Sequence, residues 1–207
     1  MMFYDRHDAA TQLAERLKAY KGKNPLVLAI PRGAVPMAKL IADRLEGDCD
    51  IVLVRKLRAP FQPEFAIGSI DESGWTYLAS HASSTGADDA YIQKEKEFQL
   101  QTIRSRRAQY TPHRAPIDPA GRIVIVVDDG LATGSTMIAA LHGLHNKNPA
   151  KLICAVPVSP PDTLDKVAKL ADEVICLEAP EYFQAVGQFY AQFPQVEDEQ
   201  VMSTLKS

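Results

Sequence analysis

The sequence predicts an α/β fold with a doubly wound, mostly parallel sheet and helices on both faces. Short apolar runs alternate with segments of helical periodicity along most of the 207 residues. One run, Ile123–Val127, is continuously β-branched, which is typical of a strand covered on both faces. With 46% hydrophobic and 24% charged residues, the composition suits one globular core. We therefore expect residues 1–207 to form a single domain.

Helical spacing of apolar residues predicts the helices, and short apolar runs predict the strands. In order, we expect a helix near 10–17, strands at 25–30 and 50–54 with a helix from Pro36 between them, a hairpin at 65–79, a charged helix at 88–109, the strand 123–127, a helix at 135–145, a strand at 151–156, a helix opened by Pro160-Pro161-Asp162 and a strand at 173–177.

Charge and hydropathy exclude several classes of function. The formal net charge is -3, which gives no basic surface for long nucleic acid or an anionic membrane. No apolar run approaches the roughly 20 residues that cross a bilayer, and the N-terminus lacks the layout of a secretory signal. The three cysteines show no CxxC spacing, which argues against a disulfide framework and against a zinc site. A cytoplasmic protein is expected.

A glycine-rich loop follows the 123–127 run, with the sequence Asp128-Asp129-Gly130-Leu131-Ala132-Thr133-Gly134-Ser135-Thr136. Its glycines permit a tight backbone, and its hydroxyls and the helix that begins there supply hydrogen-bond donors. These features predict a phosphate-binding loop, although no Walker A or GxGxxG pattern is present. The two aspartates would repel a phosphate, but they suit neutral hydroxyls or a divalent cation beside it. A sugar phosphate with a vicinal diol satisfies both halves of the motif.

The loop resembles the signature of type I phosphoribosyltransferases, which bind 5-phosphoribosyl 1-pyrophosphate (PRPP). The wider pattern is similar to a bacterial group of predicted phosphoribosyltransferases whose acceptor is not established. The shared features are Asp5-Arg6, Pro31-Arg32-Gly33, Val54-Arg55-Lys56-Leu57 and a tail of Phe183, Val186, Gly187 and Tyr190.

The resemblance implies a role for each residue of the loop. Asp128 and Asp129 would be the catalytic pair, binding the ribose hydroxyls and contacting Mg²⁺ through water. Gly130 through Thr136 would complete the PRPP site, with residues 131–136 binding the 5-phosphate through backbone N–H groups and hydroxyls.

Cations at two other strand ends predict a second anion site. The resemblance makes Pro31-Arg32-Gly33 the pyrophosphate loop, which in relatives often contains a strained or cis peptide. Arg55 and Lys56, at the end of the second predicted strand, are expected to join it. The alternatives are a plain turn with a solvated arginine and an ordinary basic strand end.

Two further segments receive a role from the resemblance. Residues 57–120 take the position of the flexible loop that closes over PRPP, although its arginines Arg104, Arg106 and Arg107 are expected on a solvated helix face. Residues 178–207, rich in aromatics, are a candidate hood over the acceptor or a packed extension.

The implied function is Mg²⁺-dependent transfer of a phosphoribosyl group from PRPP to a small nitrogenous acceptor, with release of pyrophosphate, as in nucleotide salvage. A homodimer is compatible with the family. Ala132 stands where the 6-oxopurine enzymes have an aspartate, which puts hypoxanthine and guanine in doubt. The alternative is a PRPP-binding regulatory protein without turnover, which the net acidity weighs against.

Overall fold

The computed structural model describes residues 2–207, so Met1, which the predicted domain includes, lies outside the described part. Six α-helices and eight strands are formed within it. The helices are α1 (Arg6–Arg16), α2 (Ala34–Leu45), α3 (Asp89–Tyr110), α4 (Ser135–His145), α5 (Pro161–Ala168) and α6 (Asp198–Lys206). The strands are β1 (Leu26–Ala29), β2 (Asp48–Ile51), β3 (Val54–Arg58), β4 (Ala66–Asp71), β5 (Thr76–Leu78), β6 (Ile123–Val127), β7 (Lys151–Val158) and β8 (Glu173–Glu178).

A five-stranded parallel sheet in the order β2-β1-β6-β7-β8 forms the centre of the molecule. Alternate side chains of β6 enter two different cores. Val127 packs in the core that includes α1 and α2, whereas Val126 packs with α4 and α5 on the other face. This arrangement confirms the doubly wound fold and explains why the strand sequence is apolar throughout.

A second, antiparallel sheet in the order β3-β4-β5 lies against α3 and α4. This sheet and α3 make up most of residues 57–120, the predicted flexible insertion, whose mobility stays a prediction. The expected hairpin is confirmed as β4 and β5, whereas α6 was not predicted from the sequence.

One strand boundary was wrong. The sequence predicted a single strand over 50–54 that ended just before Arg55, but β2 ends at Ile51 and Arg55 lies inside β3 of the second sheet. The apolar run continues through Val52 and Leu53, so hydrophobicity alone does not reveal the break between two sheets.

The order in which the chain adds strands to the parallel sheet reverses between β1 and β6. These strands are neighbours, with Ala29 paired to Val127, and the connections from them run to opposite sides. In open α/β sheets, ligands bind at the carboxyl ends of the strands at such a switch point. The loops after Ala29 and Val127 are two of the strand ends that sequence analysis selected; the third, at Arg55 and Lys56, lies in the other sheet. No helix in residues 2–207 has both the length and the apolar character to span a membrane.

Candidate functional site

The loop between β6 and α4 is held rigidly by β7 and α5. The Leu131 N–H donates to the Val158 carbonyl (2.9 Å), and the Thr163 hydroxyl donates to the Ala132 carbonyl (2.7 Å). Gly134 adopts a φ of +74°, and a Cβ there would stand 2.6 Å from a methyl group of Thr163. Only glycine combines a favourable positive φ with the lack of a Cβ that this contact requires. Leu131, which is buried and whose N–H is already bonded, therefore anchors the loop instead of offering a donor.

The loop encloses a pocket of about 210 Å³ lined by Asp128, Gly130 to Met137 and Val186. The N–H groups of Thr136 and Met137 lie in the first turn of α4, where the helix provides no acceptor. The hydroxyls of Thr133 and Ser135 lie 3.2 Å apart at the same place. Free amides, hydroxyls and the positive end of a helix dipole make this pocket suitable for a phosphate group.

Asp128 lies at the edge of this pocket, just beyond the end of β6. Its carboxylate accepts the Asp129 N–H over 2.9 Å. Burial, together with the negative charge of Asp129, raises the pKa of Asp128 well above its usual value. A carboxylate in this situation gains strongly from a hydroxyl donor or a nearby cation.

Asp129 is held by residues from both ends of the chain. Its Oδ2 atom accepts from Nε of Arg6 at 2.9 Å, and the two side chains are only 16% and 13% exposed. The Tyr190 hydroxyl donates to the Asp129 carbonyl (2.6 Å). Asp129 therefore lies beside the other site residues but does not line the phosphate pocket itself.

The loop after β1 approaches this acidic pair closely. The peptide bond between Pro31 and Arg32 is cis, as the resemblance implied. A Cβ on Gly33 would collide with the Asp129 carboxylate and stand 2.9 Å from Nε of Arg6, so only a glycine permits this contact. The structure therefore brings the segment 31–33 and the pair 128–129 together.

The remaining predicted cations are not gathered at one point. Arg32 lies 3.6 Å from a carboxylate oxygen of Asp198, at the start of α6. Arg55 points towards α3, where its Nε donates to the Gln99 side chain (2.9 Å). Lys56 is exposed. Arg58, a further cation at the end of β3 that was not assigned to the site, donates to Glu95 on α3.

Arg106 is a cation that the sequence placed on a solvated surface. Its charge acts on Asp198 and also on Arg55, whose pKa is lowered by burial and by the like charges of Arg106 and Arg58. Arg106 therefore lies within electrostatic range of both Arg55 and Asp198, and it lines a common surface pocket with Asp198. Arg107, expected on the same solvated face, is instead buried in ion pairs.

Sequence reasoning missed the functional neighbours Arg6, Tyr190 and Val186. All three appear in the sequence analysis only as shared motif residues. The convergence of Arg6 and Tyr190 on Asp129 depends on contacts between residues 123 and 61 positions apart in the chain. Val186 lines the phosphate pocket. Among residues 2–207, no cluster of three or more His, Cys, Asp or Glu side chains could hold a metal by itself. A cation would therefore need oxygen ligands beyond those of Asp128 and Asp129.

Comparisons with known proteins agree with this geometry. A family model described as "Phosphoribosyl transferase domain" matches residues 4–194. The Mycobacterium tuberculosis H37Rv protein Rv0571c, provisionally named a phosphoribosyl transferase, is 41% identical over 205 residues, covering 99% of this chain and 46% of that protein. The chain thus spans about half the length of these curated relatives.

Of two further similarities, one covers part of the chain and the other covers nearly all of it. An adenine phosphoribosyltransferase of Rhodospirillum centenum is 33% identical over 93 residues, 42% of this chain and 54% of that enzyme. The crystal structure of TT1426 from Thermus thermophilus matches with a TM-score of 0.89 and 40% identity, covering 99% of this chain and 98% of that one. The family match contains both loops at the switch point and agrees with the enzyme class expected from the sequence. The chain belongs to the phosphoribosyl transferase domain family.

Proposed function

We propose that this chain transfers the phosphoribosyl group of PRPP to a nitrogenous acceptor and releases pyrophosphate. The observation that carries the proposal is the meeting of the phosphate loop after β6 with the segment Pro31–Gly33 after β1 at the switch point of the sheet. The two ends of PRPP are a 5-phosphate and a pyrophosphate, and these two loops offer one anion-binding element to each.

The 5-phosphate would occupy the pocket lined by residues 130–137. Backbone N–H groups of Thr136 and Met137 and the hydroxyls of Thr133 and Ser135 would donate to its oxygens. Because the loop is fixed by Val158 and Thr163, its donors are oriented before the substrate binds.

The ribose hydroxyls would be accepted by Asp128 and Asp129. Neither Asp128 Oδ2 nor Asp129 Oδ1 has a hydrogen-bond donor within residues 2–207, so each offers an oxygen. As pyrophosphate departs from C1, positive charge develops on the ribose ring. The two nearby carboxylates would stabilise this charge.

The leaving pyrophosphate would be bound by the segment 31–33, where Arg32 supplies a positive charge. Asp128 and Asp129 offer only oxygen ligands, which suit a hard cation such as Mg²⁺. When bound, that cation would offset the negative charge of the pyrophosphate. Val186, from the segment 178–207, lies in contact range of Gly130, which supports the role of this segment as a hood. The hood would limit the access of water, the competing nucleophile.

Adenine is the acceptor that we propose to test first. Ala132 replaces the aspartate that handles the base proton in 6-oxopurine enzymes. The partial similarity to an adenine phosphoribosyltransferase supports the same choice. This would give the protein a role in nucleotide salvage, and a homodimer is compatible with the family.

The test is an assay of pyrophosphate release from PRPP and Mg²⁺ with a panel of purines, pyrimidines and other amides. We expect release that depends on one class of acceptor, with formation of the corresponding nucleotide. If PRPP binds but no acceptor supports release, the protein is a PRPP-binding regulator.

The double variant Asp128→Asn with Asp129→Asn tests the assignment of the diol. We expect loss of turnover and weaker PRPP binding, because an amide is a poorer acceptor for a hydroxyl proton than a carboxylate. Asp162→Asn is a matched control, since Asp162 is an exposed carboxylate at the start of the neighbouring α5. Unchanged PRPP affinity in the double variant would exclude the diol assignment.

A further inference from the structure

The two terminal motifs of the chain meet at Asp129. Arg6 belongs to the Asp5-Arg6 start, and Tyr190 is the last residue of the aromatic tail motif. The first contacts the Asp129 side chain and the second contacts its carbonyl group. We call Phe3, Arg6, Tyr190, Phe193 and Pro194 the terminal clasp.

Arg6 is itself fixed in place by its neighbours. It is the first residue of α1, whose N-terminus is capped by Asp5 through a 2.8 Å bond from the Asp8 N–H. Its guanidinium lies 3.9 Å from the centre of the Phe193 ring, and Nη1 donates to the Pro194 carbonyl. The cation–π contact and this hydrogen bond restrict Arg6 to one orientation.

Tyr190 is fixed in a similar way. Its ring stacks on Phe193 with centroids 4.8 Å apart and tilts against Phe3 at 5.5 Å. The backbone around Phe3 pairs with the backbone around Tyr190 through hydrogen bonds in both directions. The first and last segments of the fold are therefore joined where they contact Asp129.

The clasp engages only one oxygen of the Asp129 carboxylate. Arg6 occupies Oδ2, Gly33 packs beneath the pair, and Oδ1 has no donor in the described chain. A carboxylate held in this way needs no reorientation to accept a ligand hydroxyl, and the conformational cost of binding is reduced. The positive charge of Arg6 also offsets the repulsion between two adjacent carboxylates.

We propose that Arg6 is a positioning residue that fixes the Asp129 carboxylate for a ribose hydroxyl, with Tyr190 fixing the backbone of the same residue. The inference rests on the proposed function, because it assumes that a phosphorylated pentose binds here. The roles proposed for the phosphate loop and the pyrophosphate segment do not involve the Asp5-Arg6 motif. This inference gives that motif a role.

Calorimetric titration with PRPP in Mg²⁺, with ribose 5-phosphate and with inorganic phosphate tests this role. For Arg6→Ala we expect both sugars to bind about 10- to 100-fold more weakly, as when a partly buried charged hydrogen bond is lost. Inorganic phosphate should bind within about twofold of the wild type, since its pocket does not include Arg6. Arg6→Lys should restore part of the lost sugar affinity, because a lysine keeps the charge but not the stacked planar group.

Tyr190→Phe and Arg16→Ala complete the set. Tyr190→Phe keeps the stacked ring and should weaken both sugars less than Arg6→Ala does. Arg16, exposed at the other end of α1, should tolerate alanine without change. If Arg6→Ala does not fold, the sugar affinities of Arg6→Lys and Tyr190→Phe still test the proposed role of Arg6, with Arg16→Ala as the control.

Three results would overturn the inference. The first is unchanged sugar affinity in Arg6→Ala, and the second is an equal loss for all three ligands, which would indicate general damage. The third is a loss for PRPP alone, which would place Arg6 on the pyrophosphate. If the wild type binds neither sugar phosphate, the proposed function fails together with the inference; in the other three cases the proposed function stands.

Discussion

Arg107 of α3 donates to the carboxylate of Asp50 on β2 over 2.8 Å, with the two side chains only 11% and 1% exposed. The same guanidinium binds Glu72 through Nε and Nη2 and donates to the Ile51 carbonyl. This single side chain therefore joins the parallel sheet, the hairpin turn and the long helix α3.

Removal of this cation should strongly destabilise the fold. We expect Arg107→Met to lower the free energy of unfolding by about 3 kcal/mol, the low end of the usual cost of breaking a buried ion pair, because Arg114 remains 3.3 Å from the Asp50 carboxylate. Urea denaturation monitored by circular dichroism measures the change. Arg104→Met, on the exposed face of the same helix, should change stability by no more than about 0.5 kcal/mol. Equal effects of the two variants would contradict the structural role of Arg107.

Glu95 should make stability depend on pH. Burial by itself raises the pKa of this carboxyl, but hydrogen bonds from Arg58 and Gln99 outweigh burial and hold the pKa below its usual 4.5. A carboxyl whose pKa is lower in the folded state stabilises the protein above the unfolded-state value. That stabilisation is lost as the pH falls from about 4.5 through the folded-state pKa.

Glu95→Gln tests this expectation. At pH 7 the variant should be less stable by about 1–3 kcal/mol, because three donors of Arg58 lose a charged acceptor. Its further loss of stability between pH 5 and pH 3 should be smaller than that of the wild type. Glu97→Gln, on the exposed side of α3, is the control and should behave as the wild type does in urea titrations at each pH. An unchanged pH dependence in Glu95→Gln would contradict the prediction.

Gly134→Ala should impair the phosphate loop more than the fold. A Cβ at this position would require an unfavourable positive φ and would press on the Thr163 methyl group, so the loop must move to accommodate it. We expect the affinity for inorganic phosphate to fall at least about tenfold, equivalent to 1.4 kcal/mol. Gly121→Ala is the control for backbone strain. Gly121 has a similar φ of +69°, but a Cβ there would have no atom within 4 Å, so this variant introduces the strain without the steric contact. Wild-type phosphate affinity in Gly134→Ala would exclude the loop as the phosphate site.

Local sequence was sufficient to locate the glycine-rich loop between β6 and α4, for which we propose phosphate binding. A continuous apolar strand, two aspartates, paired glycines, hydroxyl residues and a helix start are all adjacent between 123 and 136. The helix 135–145 begins and ends as predicted. Such features depend on backbone preferences and capping within a few residues, so a single sequence contains the information.

The distribution of the arginines could not be predicted in this way. Arg55, Arg106 and Arg107 look alike in sequence, yet one contacts Gln99, one lies near Asp198 and one is buried with Asp50. Whether a basic side chain is solvated or buried depends on which acidic group the fold brings to it. Those groups come from distant parts of the chain.

The amino-acid sequence by itself determined the alternation of strands and helices and the position of the phosphate loop, because periodicity, glycine placement and helix starts act over short distances. Only the tertiary structure decided that Arg6 and Tyr190 hold Asp129 and that Arg55 lies in a separate sheet. These contacts join residues that are far apart in the sequence. They form only when the whole chain folds, so local conformational preferences do not determine them.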